Sequence, residues 1–175
     1  MTVLTDALIG HQTLTGVTAI AAGPSSSCAI APTSLLLIPL TSNVFCSGQT
    51  FGPSGRSSYS ISVFTSLNIL NIIGLGVGDV AVGATSACAV LGGSAYCWGG
   101  NTLGQLGNSS TTSTTSPVAV NVAGVLSGKT VTHVAVGDDY ACAVAGPTAS
   151  AGVYCWGQGA RGQLGRGRRR RRPYP

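Results

Sequence analysis

The sequence predicts an all-β chain, a partial β-propeller of about three four-stranded blades. Three observations predict it. One short pattern recurs three times along the chain. The strands it implies are apolar or small on both faces. Gly and β-branched residues are dense, and no run shows a 3.6-residue period. A tandem repeat is an array in which each unit needs its neighbours to bury its faces.

Each copy opens on a short strand ending in Gly: Ile20-Ala-Ala-Gly23, Val80-Ala-Val-Gly83 and Val134-Ala-Val-Gly137. A cysteine follows five residues after each of these glycines, at Cys28, Cys88 and Cys142. The second cysteine stands in Phe45-Cys46-Ser47-Gly48, Tyr96-Cys97-Trp98-Gly99 and Tyr154-Cys155-Trp156-Gly157. A Gly-rich turn ends each copy: Gly52-Pro-Ser-Gly55, Gly104-Gln105-Leu106-Gly107 and Gly162-Gln163-Leu164-Gly165. Equivalent glycines lie 60 and then 54 residues apart. The repeat cores are 17–56, 78–107 and 131–165, within a propeller region 1–165. The first copy diverges most, so its blade is expected to be degenerate or differently packed.

The second copy gives the local structure. Folding Cys88 to Cys97 about Gly92-Gly93 sets Leu91 opposite Ser94, Val90 opposite Ala95 and Ala89 opposite Tyr96. Cys88 then faces Cys97. Gly-Gly suits a two-residue hairpin turn, because both central positions need positive φ. Directly opposed residues of an antiparallel pair bring their Cβ atoms near the distance a disulfide needs. In the third copy the same pairing sets Val144 opposite Val153 and Cys142 opposite Cys155, with a longer loop. In the first copy the loop is expected to stretch further, taking in Leu35-Leu-Leu-Ile-Pro39. The segments Thr132-His-Val-Ala-Val136 and Tyr140-Ala-Cys-Ala-Val144 read as strands covered on both sides, which suits sheets stacked face to face. The Ser/Thr-rich stretch Asn108 to Ser116 reads as a surface loop, and Pro117 to Val122 as an outer strand. Each repeat then supplies about four short strands, one propeller blade.

Composition bounds the function. Hydrophobic residues make up 44% of the 175, which is not the profile of a disordered chain, although only 7% are charged. The formal charge of +5 comes from the C-terminus, where Arg166 and Arg168 to Arg172 lie within the last ten residues. Upstream, three basic residues (Arg56, Lys129, Arg161) stand against four acidic ones (Asp6, Asp79, Asp138, Asp139). With no basic face to grip a phosphate backbone, any nucleic-acid affinity would reside in the tail, Arg168 to Arg172. The apolar stretches Leu35 to Ile38 and Ile69 to Val77 are too short for a membrane span. The N-terminus has no basic region of the kind a signal peptide carries.

The string Cys-Ala-Val, Tyr-Cys-Trp-Gly, Gly-Gln-Leu-Gly-Asn resembles the regulator of chromosome condensation repeat family. The Val-Ala-Val-Gly lead-in and the Ser/Thr loop before Pro117-Val-Ala-Val fit as well. The resemblance covers residues 17–165, strongly over 80–165 and weakly over 17–55. It implies the family's seven-bladed propeller. Three repeats do not close such a ring. The expectation is a fragment of a longer protein, or a chain that closes by assembling with copies of itself, since an open arc exposes sheet faces and edges.

Six cysteines in three within-repeat pairs (Cys28 with Cys46, Cys88 with Cys97, Cys142 with Cys155) favour disulfides in an oxidising compartment. The alternative is a reduced, buried small hydrophobe in each strand. Intracellular members of the family commonly place apolar residues at these positions, so the pairing resembles the extracellular branch. A zinc site is not indicated, because no Cys-x-x-Cys spacing occurs. Trp98 and Trp156 alternate with the cysteines, point to the opposite sheet face and read as blade-to-blade packing. Gly83, Gly99, Gly137 and Gly157, with the Gly-Gln-Leu-Gly turns, are structural repeat signatures. No Lys or Thr follows those turns and no helix opens there, so they are not phosphate loops. His11 and His133 are isolated, and Asp138-Asp139 reads as turn chemistry. Asn108-Ser109-Ser110 is a glycosylation sequon in a surface loop. Residues 166–175 form a self-repelling, disordered tail.

The leading functional reading is a non-catalytic, extracellular or cell-surface module that binds a protein through rim loops held by rigid blades. The alternative is a nuclear or cytoplasmic regulator of a small GTPase, a nucleotide exchange factor as in the family's nuclear founder. No acid, base or nucleophile constellation points to an enzyme. No cofactor, metal or membrane partner is expected. The partner is an unidentified protein, together with further repeats or a second copy to close the ring.

Overall fold

A computed structural model of the protein describes residues 4–5, 12–13, 16–35, 38–49, 60–66, 76–121 and 126–165. The fold is all-β, and its sheets form part of a propeller. The first sheet holds β1 (Leu4–Thr5), β2 (Gln12–Thr13), β3 (Ala19–Ala22), β4 (Ser26–Leu35), β5 (Ile38–Gln49) and β6 (Ser60–Ser66), in the order β2-β1-β6-β5-β4-β3. The second holds β7 (Val77–Val82), β8 (Ser86–Leu91), β9 (Ser94–Gly99) and β10 (Thr114–Ala119), in the order β10-β9-β8-β7. The third holds β11 (Val131–Val136), β12 (Tyr140–Ala145) and β13 (Gly152–Gly157), with a 3-10 turn at Thr148–Ser150. These are blades 1, 2 and 3. The turn Gly52 to Gly55, His11, Arg56 and the tail Arg168 to Arg172 lie outside the described residues.

The second hairpin has the register read from the sequence: Cys88 opposite Cys97, Ala89 opposite Tyr96, Val90 opposite Ala95 and Leu91 opposite Ser94. Gly92 and Gly93 take φ of 53° and 78°, the two positive values that match the turn to the right-handed twist of its strands. In blade 3 Cys142 lies opposite Cys155 and Val144 opposite Val153. All three cysteine pairs are bridged, with Cα atoms 4.1, 4.1 and 4.0 Å apart.

Blade 1 departs from expectation in two ways. It is six-stranded rather than four-stranded, because β1 and β2 extend the sheet beyond β6 and β1 pairs parallel to it. Of the segment expected as a loop insertion, the described residues Leu35, Ile38 and Pro39 lie in strands. The hairpin ladder runs on through Pro32 opposite Ser42, Ser34 opposite Pro39 and Leu35 opposite Ile38. An apolar, β-prone run lengthens a hairpin at little cost, since its backbone groups pair with each other and not with water. In blade 2 the outer strand begins at Thr114, three residues before Pro117. It is the edge strand, where a proline removes no hydrogen bond that the sheet needs.

The blades stack through two apolar joints. Cys28, Ile30 and Val44 of blade 1 pack against Val80, Val82, Ala87, Ala89, Leu91 and Trp98 of blade 2. The other face of blade 2, with Cys88, Val90, Ala95 and Cys97, packs against Val134, Ala141, Ala143 and Ala145 of blade 3. In blades 1 and 2 the disulfide therefore faces the following blade. Trp98 and Trp156 face the preceding one, each buried or half-buried in a joint. The innermost strands β3, β7 and β11 lie side by side, and the small residues there let the backbones converge.

Candidate interaction surfaces

Glycines set the spacing at the inner end of each joint. A Cβ at Gly23 would stand 2.8 Å from the Gly83 carbonyl oxygen and 2.9 Å from the Val82 side chain. At Gly83 it would collide with the Gly137 carbonyl and stand 2.7 Å from Val136. The final glycine of the lead-in strand is therefore where one blade's backbone meets the next. Polar contacts flank this line. Thr85 Oγ1 donates to the Asp138 carbonyl at 2.7 Å. At the joint of blades 1 and 2, Val77 N–H donates to Ser42 Oγ at 2.9 Å.

The Gly-Gln-Leu-Gly turn is the outer clasp of the second joint. Gln105, almost wholly buried, accepts the Leu103 N–H on Oε1 at 2.8 Å. Its Nε2 donates to Asp139 Oδ1 of blade 3 at 3.3 Å. Its backbone carbonyl accepts the Trp156 indole N–H at 2.8 Å. Gly107 lies against that indole, 2.7 Å from Nε1 to where a Cβ would stand. The blade 3 turn repeats the local geometry, with Gln163 Oε1 accepting the Arg161 N–H at 2.7 Å. There Gln163 Nε2 donates to Gln158 of the same blade at 3.4 Å. Gly104, Gly107, Gly162 and Gly165 take positive φ in these turns, and Gly99 and Gly157 do so at the strand ends.

The turn continues into the Ser/Thr loop, and Asn101 organises it. Asn101 is fully buried. Its Nδ2 lies within 3.1 Å of Asn108 Oδ1 and the Ser110 and Thr112 carbonyls, and its Oδ1 accepts the Leu106 N–H at 2.9 Å. The backbone N–H of Asn101 donates to Ser113 Oγ at 3.0 Å. Asn108 of the sequon is half-buried, with Oδ1 also accepting the Ser110 N–H at 3.2 Å. Sequence reasoning missed Asn101 because the third copy has Gly159 at that place. The available signal was an Asn bounded by a Gly turn and a Ser/Thr run, where one amide satisfies several backbone groups.

Strand direction puts Thr85, the 100–113 loop, Asp138 and the 157–165 turn on one rim. Leu103 and Arg161 sit exposed at equivalent places on it. Gly92-Gly93 and Leu126 to Thr130 lie at the opposite rim, with Lys129 Nζ 5.6 Å from the centre of the Tyr154 ring. The two ends of the arc differ from its middle. Ile20 is 79% exposed, whereas Val80 and Val134 at its register position are 6% and 9% exposed. Val153 on the outer face of blade 3 is 70% exposed, against 2% for the equivalent Ala95 of blade 2. Exposed His133 has its Nδ1 3.1 Å from Thr132 Oγ1. Among the described residues no three His, Cys, Asp or Glu side chains gather to hold a metal ion, and no helix is long and apolar enough to cross a membrane.

These features agree with the comparisons. The family described as "Regulator of chromosome condensation (RCC1) repeat" matches residues 92–144 and 150–175. The E3 ubiquitin-protein ligase HERC2 of Homo sapiens is 37% identical over 76 residues, which is 43% of this chain and 2% of HERC2. Among solved structures, Prp20p from Saccharomyces cerevisiae superposes with a TM-score of 0.64 at 20% identity, over 86% of this chain and 34% of Prp20p. Human WBSCR16 superposes with a TM-score of 0.58 at 19% identity, over 82% of this chain and 49% of WBSCR16. The chain thus spans half or less of the length of each of these proteins. The regulator of chromosome condensation repeat is thus matched in sequence over residues 92–144 and 150–175, and the chain shares a bladed fold with the solved structures.

Proposed function

We propose that the chain is a non-catalytic binding module that works outside the cell and contacts a protein through the rim carrying Leu103 and Arg161. One observation carries the reading: every blade is cross-linked by its own disulfide, and the rim loop between 100 and 113 hangs from two buried amides, Asn101 and Gln105. A loop fixed in this way presents its exposed side chains with little ordering entropy left to lose on binding. Disulfides of this density suit an oxidising compartment. The rim is rich in Ser and Thr and nearly neutral, which suits a protein surface better than a phosphate backbone.

The compartment is tested by alkylating protein purified without reductant from an oxidising host, followed by peptide mass spectrometry. Three bridges support the extracellular reading. Six free thiols there would overturn it and favour an intracellular scaffold or a regulator of a small GTPase. The rim is tested by cross-linking on the surface of the producing cell. A captured protein lost with Leu103→Asp but kept with Ser127→Asp, at the opposite rim, supports the assignment. The reverse pattern overturns it.

A further inference from the structure

Asn108 uses only half of its amide to hold the rim loop. Its Oδ1 accepts two hydrogen bonds, from Asn101 Nδ2 at 3.1 Å and from the Ser110 N–H at 3.2 Å. A backbone N–H only donates, so the oxygen is the atom that faces Ser110. Asn101 is fully buried, and the Leu106 N–H on its Oδ1 at 2.9 Å fixes its orientation in the same way. Turning the Asn108 amide over would set its Nδ2 against two donors and strip a buried amide of an acceptor. Among the described residues every hydrogen bond of the Asn108 side chain is made by Oδ1, and none engages Nδ2. Asn108 itself is half-buried, and Ser109, Thr111 and Thr112 beside it are exposed.

We propose that Asn108 Nδ2 carries an N-linked glycan, a proposal that rests on the extracellular reading. The sequon Asn108-Ser109-Ser110 supplies what the modifying enzyme reads, an amide with a hydroxyl two residues on. The donor is a saccharide carried on a polyprenyl pyrophosphate. Nδ2 attacks the anomeric carbon and gives up one proton to a base. The nitrogen–carbon bond forms as the bond from that carbon to the pyrophosphate oxygen breaks, and the pyrophosphate leaves with the electron pair. The product amide keeps its carbonyl oxygen and one N–H. Both bonds to Oδ1 therefore survive, and with them the tie from the rim loop to buried Asn101. The opposite arrangement, with the nitrogen inward and the oxygen free, would set glycan and folded loop against each other. The composition gives the glycan a use. Upstream of residue 166 only three basic and four acidic residues stand, so charge does little to keep the protein soluble, and a glycan adds hydrated surface. It hangs from the loop that carries Leu103, and it covers the Ser/Thr part of that loop.

The test uses the full chain, led into the secretory pathway of a eukaryotic host by a cleavable leader and purified without reductant. Peptide mass spectrometry reads the thiols and the glycan on the same protein. Wild type should show three bridges and a glycan on Asn108 that peptide N-glycosidase removes, leaving an aspartate there. Ser110→Ala keeps the backbone N–H that Oδ1 accepts, and it should lose the glycan while keeping the bridges. Ser110→Thr should keep both. Three bridges with a bare Asn108, in wild type and in Ser110→Thr alike, overturn this proposal and leave the extracellular reading standing. Six free thiols and no glycan overturn the extracellular reading and this proposal with it. A glycan confined to chains with free thiols overturns the proposal, because the modified amide then does not fit the folded loop.

Discussion

The carboxylate of Asp79 in blade 2 accepts the backbone N–H of Val134 in blade 3, with Oδ2 2.9 Å from the nitrogen, while its Oδ1 accepts the N–H of Val80 at 2.9 Å. A single side chain thereby fixes the innermost strands of two blades against each other. Asp79→Ala leaves the N–H of Val134, a buried residue, without that acceptor. It should lower stability by about 1–3 kcal/mol, read as a lower denaturant midpoint with an unchanged slope. Asp79→Asn keeps one acceptor oxygen and should fall between. Equal midpoints for all three proteins would mean that packing alone holds the joint.

The outer clasp makes a coupled prediction. Trp156→Phe keeps an aromatic ring in the joint and removes the indole donor from the Gln105 carbonyl. Gln105→Ala removes the bonds to Leu103 and Asp139. Each should cost roughly 1–2 kcal/mol. Because both loosen one contact between the blade 2 turn and blade 3, the double variant should cost less than the sum, with a coupling of about 0.5 kcal/mol or more. A double-mutant cycle by chemical denaturation measures it. Strict additivity would show that the clasp and the indole act separately.

Much of this architecture was legible because the repeat spells out its own register. Gly92-Gly93 and the spacing of Cys88 and Cys97 fixed the pairing of a whole hairpin, and the alternation of Cys97 with Trp98 assigned the two sheet faces. The contacts that join blades were not legible. Asp79 and Ser42 stand where the other copies carry different residues, so comparing copies draws the eye away from them. A polar side chain that meets a backbone group 55 positions away leaves no local periodicity. The long hairpin of blade 1 was misread for a related reason. Length alone does not tell a loop from two strands that pair with each other, and Leu35 to Pro39 has the composition of strands. The rim loop was placed correctly as surface, but Asn101 inside it has no counterpart in the third copy.

Ser86 should respond with the opposite sign. Its hydroxyl is buried at the edge of the second joint and makes no hydrogen bond among the described residues. Burying a hydroxyl without a partner is unfavourable, and alanine removes the hydroxyl at almost constant shape. Ser86→Ala should therefore leave thermal stability unchanged or raise it by up to about 1 kcal/mol. A clear loss on calorimetry would show that the hydroxyl is satisfied in solution.

Gly93 combines two constraints. Its φ of 78° strains any side chain, and a Cβ there would stand 2.8 Å from the Thr130 methyl group. Gly93→Val should destabilise blade 2 by more than about 1 kcal/mol, since a β-branched residue is a poor occupant of positive φ. Adding Thr130→Ala should recover the steric part and leave the backbone part. Full recovery would mean that the turn tolerates a side chain and that the clash alone mattered.

The three disulfides should not be equivalent. The bridges close sequence separations of 18, 9 and 13 residues, so restricting the unfolded chain accounts for similar amounts in each, about 2–3 kcal/mol. Their surroundings in the folded protein differ. Cys88 and Cys97 are fully buried between blades 2 and 3, whereas Cys142 and Cys155 are half-buried on the outer face of blade 3. Replacing Cys88 and Cys97 by alanine removes two sulfurs from a packed joint and adds a cavity cost to the lost cross-link. Replacing Cys142 and Cys155 loses the cross-link with little packing behind it. The first double variant should therefore be the less stable, by about 1 kcal/mol or more. Parallel melts of the two variants decide the order. Equal losses would show that the bridges act on the unfolded chain alone, and a greater loss at Cys142 and Cys155 would show that the outer face of blade 3 is packed against something in solution.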